Sequence, residues 1–489
     1  MKVEEKQMKI AIIGMGVAGI GALREWTREK ETNPSIELTV FGDEDTFGTG
    51  APYQKDNEKL VMNQAAGTIT IKPENKNDFV EWLQSTKNET EPAAKHYPRE
   101  LFGDYLKDRM NDWLVQSNAE IIKEEVISVQ MLANNQLQLT SSSTVKNFDA
   151  VHLCIGGLAY KDSYQLINHP NFIVNPFPVK KTMPFIPKGA TVGVLGTGLT
   201  GIDIFRYTKY HRPDLTVSFF SPSGRFKSVR GQADAIDYRF FTTENIKLAK
   251  EKNNGFIPLD TYVEWFKKEA NYQQLSLKNN WGNNQLGSKE TLKKELTNSK
   301  EIGAIQNLLH DMSPFLPEIW MALEEKDKQR FFELYYERWD KLRSSFPVAT
   351  AKELVAAWQA NNITVSNKLT GVIKEENSFK LILKDQEPQY VDYLINAAGT
   401  EKKVSYQVDR MPLLRQLINE RLLQPETFGG VQMSLPDFSA VSQRYGILHT
   451  LKVHGELISG IQFGNNSVNM VSESAQPAVQ DIVHYLKKD

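Results

Sequence analysis

The opening of the chain changes its hydrophobic period within a few residues. KIAII, Lys9 to Ile13, is a short strand-like run, apolar after its lysine, and GMGVAGIGALREW continues it as a turn and a helix-like stretch. A strand-like SIELTVF follows. The uncharged run Ile10 to Leu23 has a second reading, the apolar centre of a signal peptide. Glu4 and Glu5 offset Lys2 and Lys6, however, so the positive leading segment is lacking. Its 14 residues also fall short of the roughly 20 that span a bilayer. Strand, glycine turn and helix is the reading kept.

The same alternation returns at Ala190 to Thr208, where TVGVLG runs through GTGLTG into a helix-like stretch and then into LTVSFF. Between the two lie helical patches. NDFVEWLQ places Phe79, Trp82 and Leu83 on one face, and PRELFGDYLKDRMNDWL does the same with Leu101, Tyr105 and Leu106, as core-facing positions. Strand-like pieces from about Val126 to Ile155 end at Gly156-Gly157. From Gly231 to about Arg343 the pattern is helical and rich in Lys, Glu, Asn, Trp and Tyr, with its charge runs read as solvated faces. NITVSNKLTGVIKEENSFKLILKDQ alternates like strands, and VDYLINAAGT ends on Gly399 much as VHLCIGG ends on Gly157. After YGILHTLKVHGELISGIQF, strand-like again, SESAQPAVQDIVHYLKK reads as a last helix with Pro477 confined to its first turn. The expected fold class is α/β: two Rossmann-like dinucleotide-binding domains with a mainly helical insertion in the second. The expected boundaries are 1–170 for the first domain, 171–399 for the second with an insertion at about 231–345, and 400–489 as a return that completes the first.

Composition narrows the class without choosing a chemistry. A chain of 489 residues is too long for one core, and 40% hydrophobic with 24% charged residues is ordinary for a soluble globular protein. The formal net charge of -2 and the lack of long basic blocks argue against nucleic acid and against an anionic membrane surface. No further long apolar segment or lipidation signal points to membrane insertion. Cys154 is the only cysteine, which rules out an intrachain disulfide or a cycling cysteine pair and suits a reducing cytoplasm. Its apolar context, VHLCIGG, reads as a buried small hydrophobe, with a redox thiol as the alternative. HExxH, GxSxG and clustered cysteines and histidines are all lacking, so metal chemistry and a serine nucleophile have no support. The eight histidines are scattered and read as structural or exposed.

The glycines carry the chemistry. Gly14, Gly16 and Gly19 stand between a strand and a helix as G-x-G-x-x-G, and Gly196, Gly198 and Gly201 repeat the spacing. The first glycine permits the tight turn, the second lets backbone approach a pyrophosphate, and the third packs helix on strand, with the helix N-terminus facing the phosphate charge. An acid on the ribose is expected about 20 residues later. Gly42 occupies that place after the first fingerprint, so Asp43 or Glu44 must serve with a shifted turn. After the second, Ser221, Ser223 and Arg225 stand in its stead. Hydroxyls and a guanidinium suit a 2′-phosphate, which favours NADPH over NADH. Gly48 and Gly50, around Thr49 and before Ala51-Pro52-Tyr53, are consistent with backbone lying close to a flat flavin. Arg99 and Arg230 are candidates for positioning a negatively charged group, with a plain ion pair as the alternative.

These motifs, in order, resemble those of FAD/NAD(P)-binding flavoproteins with two dinucleotide-binding domains, a group that includes flavin-dependent monooxygenases and related reductases. The chain is most similar there to a bacterial family of FAD-NAD(P)-binding proteins. The resemblance rests on IIGMGVAGIGAL, FGTGAPY with LVMNQAAG, YPRELFGDYL, VGVLGTGLTGID, SPSGRFKSVRG and LINAAGT, and it is weakest in the helical insertion. It implies FAD at Gly14, Gly16 and Gly19, with Gly48 to Tyr53 and Asn63 near the flavin, and NADPH at Gly196, Gly198 and Gly201. One departure is that FIVNPFPVKKTMPFIPKG lacks the F-x-G-x-x-x-H of Baeyer–Villiger monooxygenases. The expected function is an FAD-dependent oxidoreductase consuming NADPH, a monooxygenase acting on a small-molecule substrate. The alternatives are a reductase serving a quinone, small-molecule or protein acceptor, and a dinucleotide-binding sensor without turnover.

Overall fold

The N-terminal strand is Met8–Ile13, and it is buried on both faces because Ile10 and Ile12 enter one core cluster while Ala11 and Ile13 enter another. It pairs in parallel with Ile36–Phe41, Ile10 opposite Leu38, and with Ala150–Leu153, Ile13 opposite Leu153. In this computed structural model, residues 7–232, 234–278, 281–406, 408–464 and 467–488 are described. They divide into two compact units, one of residues 1–159 with 400–489, the other of residues 160–399.

The first unit holds a seven-stranded sheet. Its parallel part runs Gly446–Val453, Ala150–Leu153, Met8–Ile13, Ile36–Phe41, Glu120–Ile122, and two short antiparallel strands, Ser439–Ser442 and Met433–Ser434, finish one edge. The helix Val17–Thr32 follows the first strand and buries Ile20, Leu23 and Trp26 at helical spacing. Phe79, Trp82, Leu83, Tyr105 and Leu106 lie in the same core, and Leu101 packs against it half-buried. The chain leaves this unit at Ala159, before the expected 170, and returns at Thr400. The returning segment supplies a strand beside Ala150–Leu153 and the helices Val468–Glu473 and Ala475–Leu486. Pro477 sits in the first turn of the last helix, where no intrahelical donor is lost.

The second unit repeats the plan. Its parallel sheet runs Ile363–Ser366, Thr216–Phe220, Thr191–Leu195, Tyr393–Asn396, Phe172–Ile173. The helix Leu199–His211 follows the strand Thr191–Leu195. Each unit also carries a three-stranded antiparallel sheet, Val126–Met131 with Leu137–Ser141 and Val145–Phe148 in one, Leu369–Lys374 with Phe379–Leu383 and Gln389–Val391 in the other. In both, that small sheet feeds the strand that lies beside the one leading into the glycine turn. The helical segment begins with Thr243–Lys252, capped by Thr242, and continues to Tyr336–Arg343. A further helix, Val348–Gln359, packs on Leu199–His211 and leads back into the sheet. No described helix is long and apolar enough to cross a membrane.

Candidate functional site

The turn between Ile13 and Val17 is fixed by backbone alone. Gly14 donates to Phe41 O at 2.8 Å and holds φ +94, a conformation that L side chains resist. A side chain there would also meet the carbonyl of Cys154, 2.2 Å from an ideal Cβ, and one at Gly19 would stand 1.9 Å from Gly14 O. Gly16 is the N-cap of the helix Val17–Thr32; it offers no side-chain cap, and no acid lies in the first turn. Those first-turn N–H groups and the positive end of the helix dipole are therefore open to an anion.

The loop after the second strand returns over this turn. Gly48 donates to Met15 O at 2.8 Å, and a Cβ on Gly50 would stand 3.3 Å from Gly16 Cα. Two backbones thus meet with no side chain between them. Gly103, in the helix Arg99–Ser117, presses so close that its Cβ would be 2.0 Å from Tyr53 O, and Tyr53 and Phe102 rings pack edge to face at 4.9 Å. Burial pushes the Tyr53 phenol up to about 12, with the Arg99 charge pulling the other way. Arg99 begins its helix and donates its N–H to Leu60 O at 2.9 Å. Asn63 is half-buried just beyond the bridge between Val61 and Pro98. Gly14, Gly16, Gly19, Gly48, Gly50 and Tyr53 are brought together, with Arg99 beside Tyr53.

The glycine at 42 has a physical reason. A Cβ there would lie 2.9 Å from the Phe47 ring, and Phe47 is part of the core. The acid is displaced to Asp43, which is exposed and accepts at Oδ1 from Thr46 N–H at 3.1 Å. Glu44 points toward Lys123 at 3.5 Å. Cys154 is buried, and burial alone raises its thiol far above the range in which a thiolate forms near neutral pH.

Within the second unit the geometry is repeated. Gly196 donates to Phe220 O at 2.8 Å with φ +122, and its Cβ would stand 2.4 Å from Ala397 O. Gly201 packs on Gly196 O, whereas a Cβ on Gly198, the N-cap of Leu199–His211, would meet nothing within 4 Å. Ser221 is used locally, accepting from Thr197 Oγ1 at 3.1 Å and Gly224 N–H at 2.9 Å. Arg225 donates to Asn284 O and lies 4.0 Å from Glu337. Ser223 is half-buried and has no side-chain hydrogen bond among the described residues. Arg230 is not with this group of residues; it lies among the helices of the inserted segment.

Sequence reasoning missed several groups that hold these turns. Glu456 accepts from Leu158 N–H at 3.2 Å and from Thr400 Oγ1 at 2.7 Å, tying the segment that leaves the first unit to the segment that re-enters it. Arg24, buried in the first fingerprint helix, donates to Ile71 O and to Ser472 O, the latter at 3.2 Å. No local pattern signals these contacts, since Leu158, Thr400, Ile71 and Ser472 are all remote in sequence from the groups they meet. Among the described residues Asp437, His449 and Asp481 are grouped closely enough to hold a metal ion. Lys452, wholly buried, already places its ammonium 2.5 Å from Asp481, so the cluster has a cation of its own.

Residues 11–158 match the family model described as FAD-NAD(P)-binding. No curated protein sequence matches the chain. Among solved structures, the ornithine hydroxylase of Pseudomonas aeruginosa is similar at 12% identity and TM-score 0.60, over 98% of this chain and 99% of that one. The ornithine N-hydroxylase of Kutzneria sp. 744, solved with reduced FAD, NADP+ and L-ornithine, is similar at 12% identity and TM-score 0.59, over 99% and 100%. L-lysine 6-monooxygenase from Pseudomonas syringae is similar at 12% identity and TM-score 0.52, over 98% and 99%. At these identities the likeness is one of fold: two dinucleotide-binding domains on parallel sheets.

Proposed function

We propose that this chain is an FAD-dependent oxidoreductase that draws on NADPH to hydroxylate a small molecule. The observation that carries the reading is the pair of helix N-termini, each capped by a glycine at the carboxyl end of a parallel strand, the first overlaid by the Gly48–Tyr53 loop. Such a cradle fits a dinucleotide pyrophosphate, and the bare contact of Gly16 with Gly50 fits a cofactor laid flat on backbone. The likeness of fold to ornithine and lysine hydroxylases along their whole lengths supports the same reading.

When bound, the nucleotides supply the redox chemistry, hydride from the nicotinamide and oxygen activation at the flavin. The protein's part is to bind and orient them. Gly14 and Gly19 hold the first turn in shape, Gly16 leaves the pyrophosphate its approach, and Asp43, whose Oδ2 lies outside the turn with Thr46, serves the ribose. Gly48, Gly50, Tyr53 and Asn63 border the flavin. In the second unit Gly196, Gly198 and Gly201 take the NADPH pyrophosphate, with Ser223 and Arg225 toward its 2′-phosphate and Ser221 shaping their turn. Arg99, beside Tyr53, faces an anionic group. A cytoplasmic setting suits a chain with one cysteine.

The test is an anaerobic titration of the purified protein with NADPH, followed by visible absorption. An oxidised-flavin spectrum that bleaches is the expected result, and NADH should bleach it less readily. Admitting oxygen with L-ornithine, L-lysine or cadaverine then asks for a hydroxylated amine. Reoxidation that yields only peroxide with every amine, but is accelerated by a quinone, would replace the hydroxylase by a reductase. Protein that takes up no flavin on reconstitution would refute both.

A further inference from the structure

The segment after the second nucleotide strand threads among the inserted helices and is held there by its backbone. Val229 bridges Phe346 in parallel, Arg230 N–H donates to Phe346 O at 2.8 Å, and Gly231 N–H donates to Gln306 Oε1 at 2.9 Å. Arg230 is thereby pinned between the helix Ser299–His310 and the segment at Phe346 that follows Tyr336–Arg343. Its guanidinium is half-buried, its Nε is sealed from solvent without a hydrogen bond, and no carboxylate among the described residues pairs with it.

The groups around it do not offset that charge. Arg343 is 5% exposed and donates from Nη2 to Ser313 Oγ at 3.0 Å, and Ser313 in turn donates to His310 O at 2.5 Å. Burial, then the charges of Arg230 and Arg343, push the His310 ring down to about 4, so it is neutral near pH 7. The acids nearby are already committed. Asp340 holds Lys227, takes the Ser344 hydroxyl at 3.1 Å and partly offsets the charge of Arg343, not that of Arg230. Glu295 takes Val229 N–H at 2.8 Å, and burial pushes it up to about 7, which an adjoining guanidinium would have opposed. A guanidinium drawn out of water with no carboxylate on it, and with the like charge of Arg343 acting on its surroundings, is costly to fold around unless something anionic joins it.

We propose that Arg230, with the charge of Arg343 adding to the positive field around it, forms a binding site for an oxyanion, the carboxylate or phosphate group of a small-molecule ligand, within the helical segment of the second unit. Arg230 offers a fork with an unused Nε–H, the arrangement that takes two oxygens of one planar or tetrahedral anion. Neutral His310 and Ser313 provide polar neighbours that add no competing charge. The site does not depend on the flavin reading.

The experiment is thermal unfolding of the full-length protein with added FAD and NADP+, so that nucleotide sites do not report the probe. Inorganic phosphate and citrate are titrated separately, with ionic strength held constant by sodium chloride. At least one of the two should raise the Tm saturably, and Arg230→Met should weaken the apparent affinity about ten-fold or more, the usual loss for a charge-assisted bond. A response to phosphate alone identifies a phosphoryl ligand, to citrate alone a carboxylate, and to both a general oxyanion site. If neither shifts the wild type beyond chloride, or if Arg230→Met responds with an unchanged midpoint, the proposal fails. Should Arg230→Met not fold, Arg230→Lys, which keeps the charge and loses the fork, takes its place: a weakened midpoint supports the site and an unchanged one overturns it.

Discussion

Two kinds of glycine share each fingerprint, and they differ in what stands opposite. Gly14 and Gly19 face backbone carbonyls of Cys154 and Gly14, at distances no Cβ tolerates. Gly198 faces open space at an ordinary negative φ, and a Cβ on Gly16 would touch Gly50 Cα at a normal 3.4 Å. Gly19→Ala should therefore cost about 3 kcal/mol of stability by overpacking, measured by denaturant unfolding. Gly198→Ala should leave the Tm within about 1 °C, because surface changes away from packed features cost little, yet raise the KM for NADPH at least about ten-fold. A Gly198→Ala protein with unchanged KM would remove the second pyrophosphate from that turn. Spacing alone makes these residues look alike, because their opposing groups come from positions such as Cys154 that lie far along the chain. Gly42 is a similar case. Its misfit with an acid-bearing turn is visible in the sequence, but its reason, the Phe47 ring, is not.

Elements are pinned to one another by groups whose partners are equally remote. Trp26 Nε1–H can only donate, so His152 Nε2, 2.8 Å away, must accept. The proton of His152 is then on Nδ1 and goes to His454 Nε2 at 3.0 Å, leaving His454 to donate from Nδ1 to Ser474 Oγ at 2.8 Å. Ser474 finishes the chain on Val471 O at 2.7 Å. One directed line of hydrogen bonds thus joins the first fingerprint helix, the strand Ala150–Leu153, the residue that ends the neighbouring strand Gly446–Val453 and the N-cap of the last helix. Burial holds both rings neutral, His454 down to about 3. Since the folded rings bind protons less readily than the unfolded ones, their contribution is complete above about pH 6.5 and is lost as pH falls toward 3. His152→Phe should cost about 1–3 kcal/mol at pH 7.5 by stranding the Trp26 donor, and its unfolding free energy should fall less steeply than wild type between pH 6.5 and 5. Reading the scattered histidines as structural was sound for this pair, but nothing local links residues 152 and 454. Glu295 has the opposite sign. With its carboxyl raised to about 7, stability declines as pH rises from 4.5 to 7 and is level beyond. Glu295→Gln should flatten that decline and stabilise the protein at pH 8, by about 3 kcal/mol at most, while leaving it little changed at pH 4.5.

At the scale of the molecule, the chain uses one plan twice: strand, glycine turn, helix, strand, then a three-stranded antiparallel sheet feeding a strand that ends near a glycine. Repeated fingerprints make that plan legible, and the parallel pairing of their strands follows from the intervening helices. The edge order of the first sheet is not legible, because Gly446–Val453 joins Ala150–Leu153 across the whole second unit. Residues 160–399 are contiguous and carry their own sheet and core, as in the cluster around Leu195, Phe220 and Leu394. Expressed alone, this fragment should fold and bind NADPH, measured by calorimetric titration. A fragment that is folded yet does not bind would place the second nucleotide site elsewhere.

The first unit has no such independence. Arg24 reaches Ser472, Gly21 abuts the same residue, and Gly446–Val453 fills the sheet beside the strand that contains His152. A ribosome adding roughly ten residues per second exposes the first fingerprint early and its C-terminal partners only some tens of seconds later. The inserted unit, complete when Gly399 emerges, can fold during that interval, while the host remains an unfinished sheet. On the nascent chain the order of maturation is therefore inverted: the unit begun first closes only after the inserted one, and FAD capture waits for residues that follow the whole of that insertion.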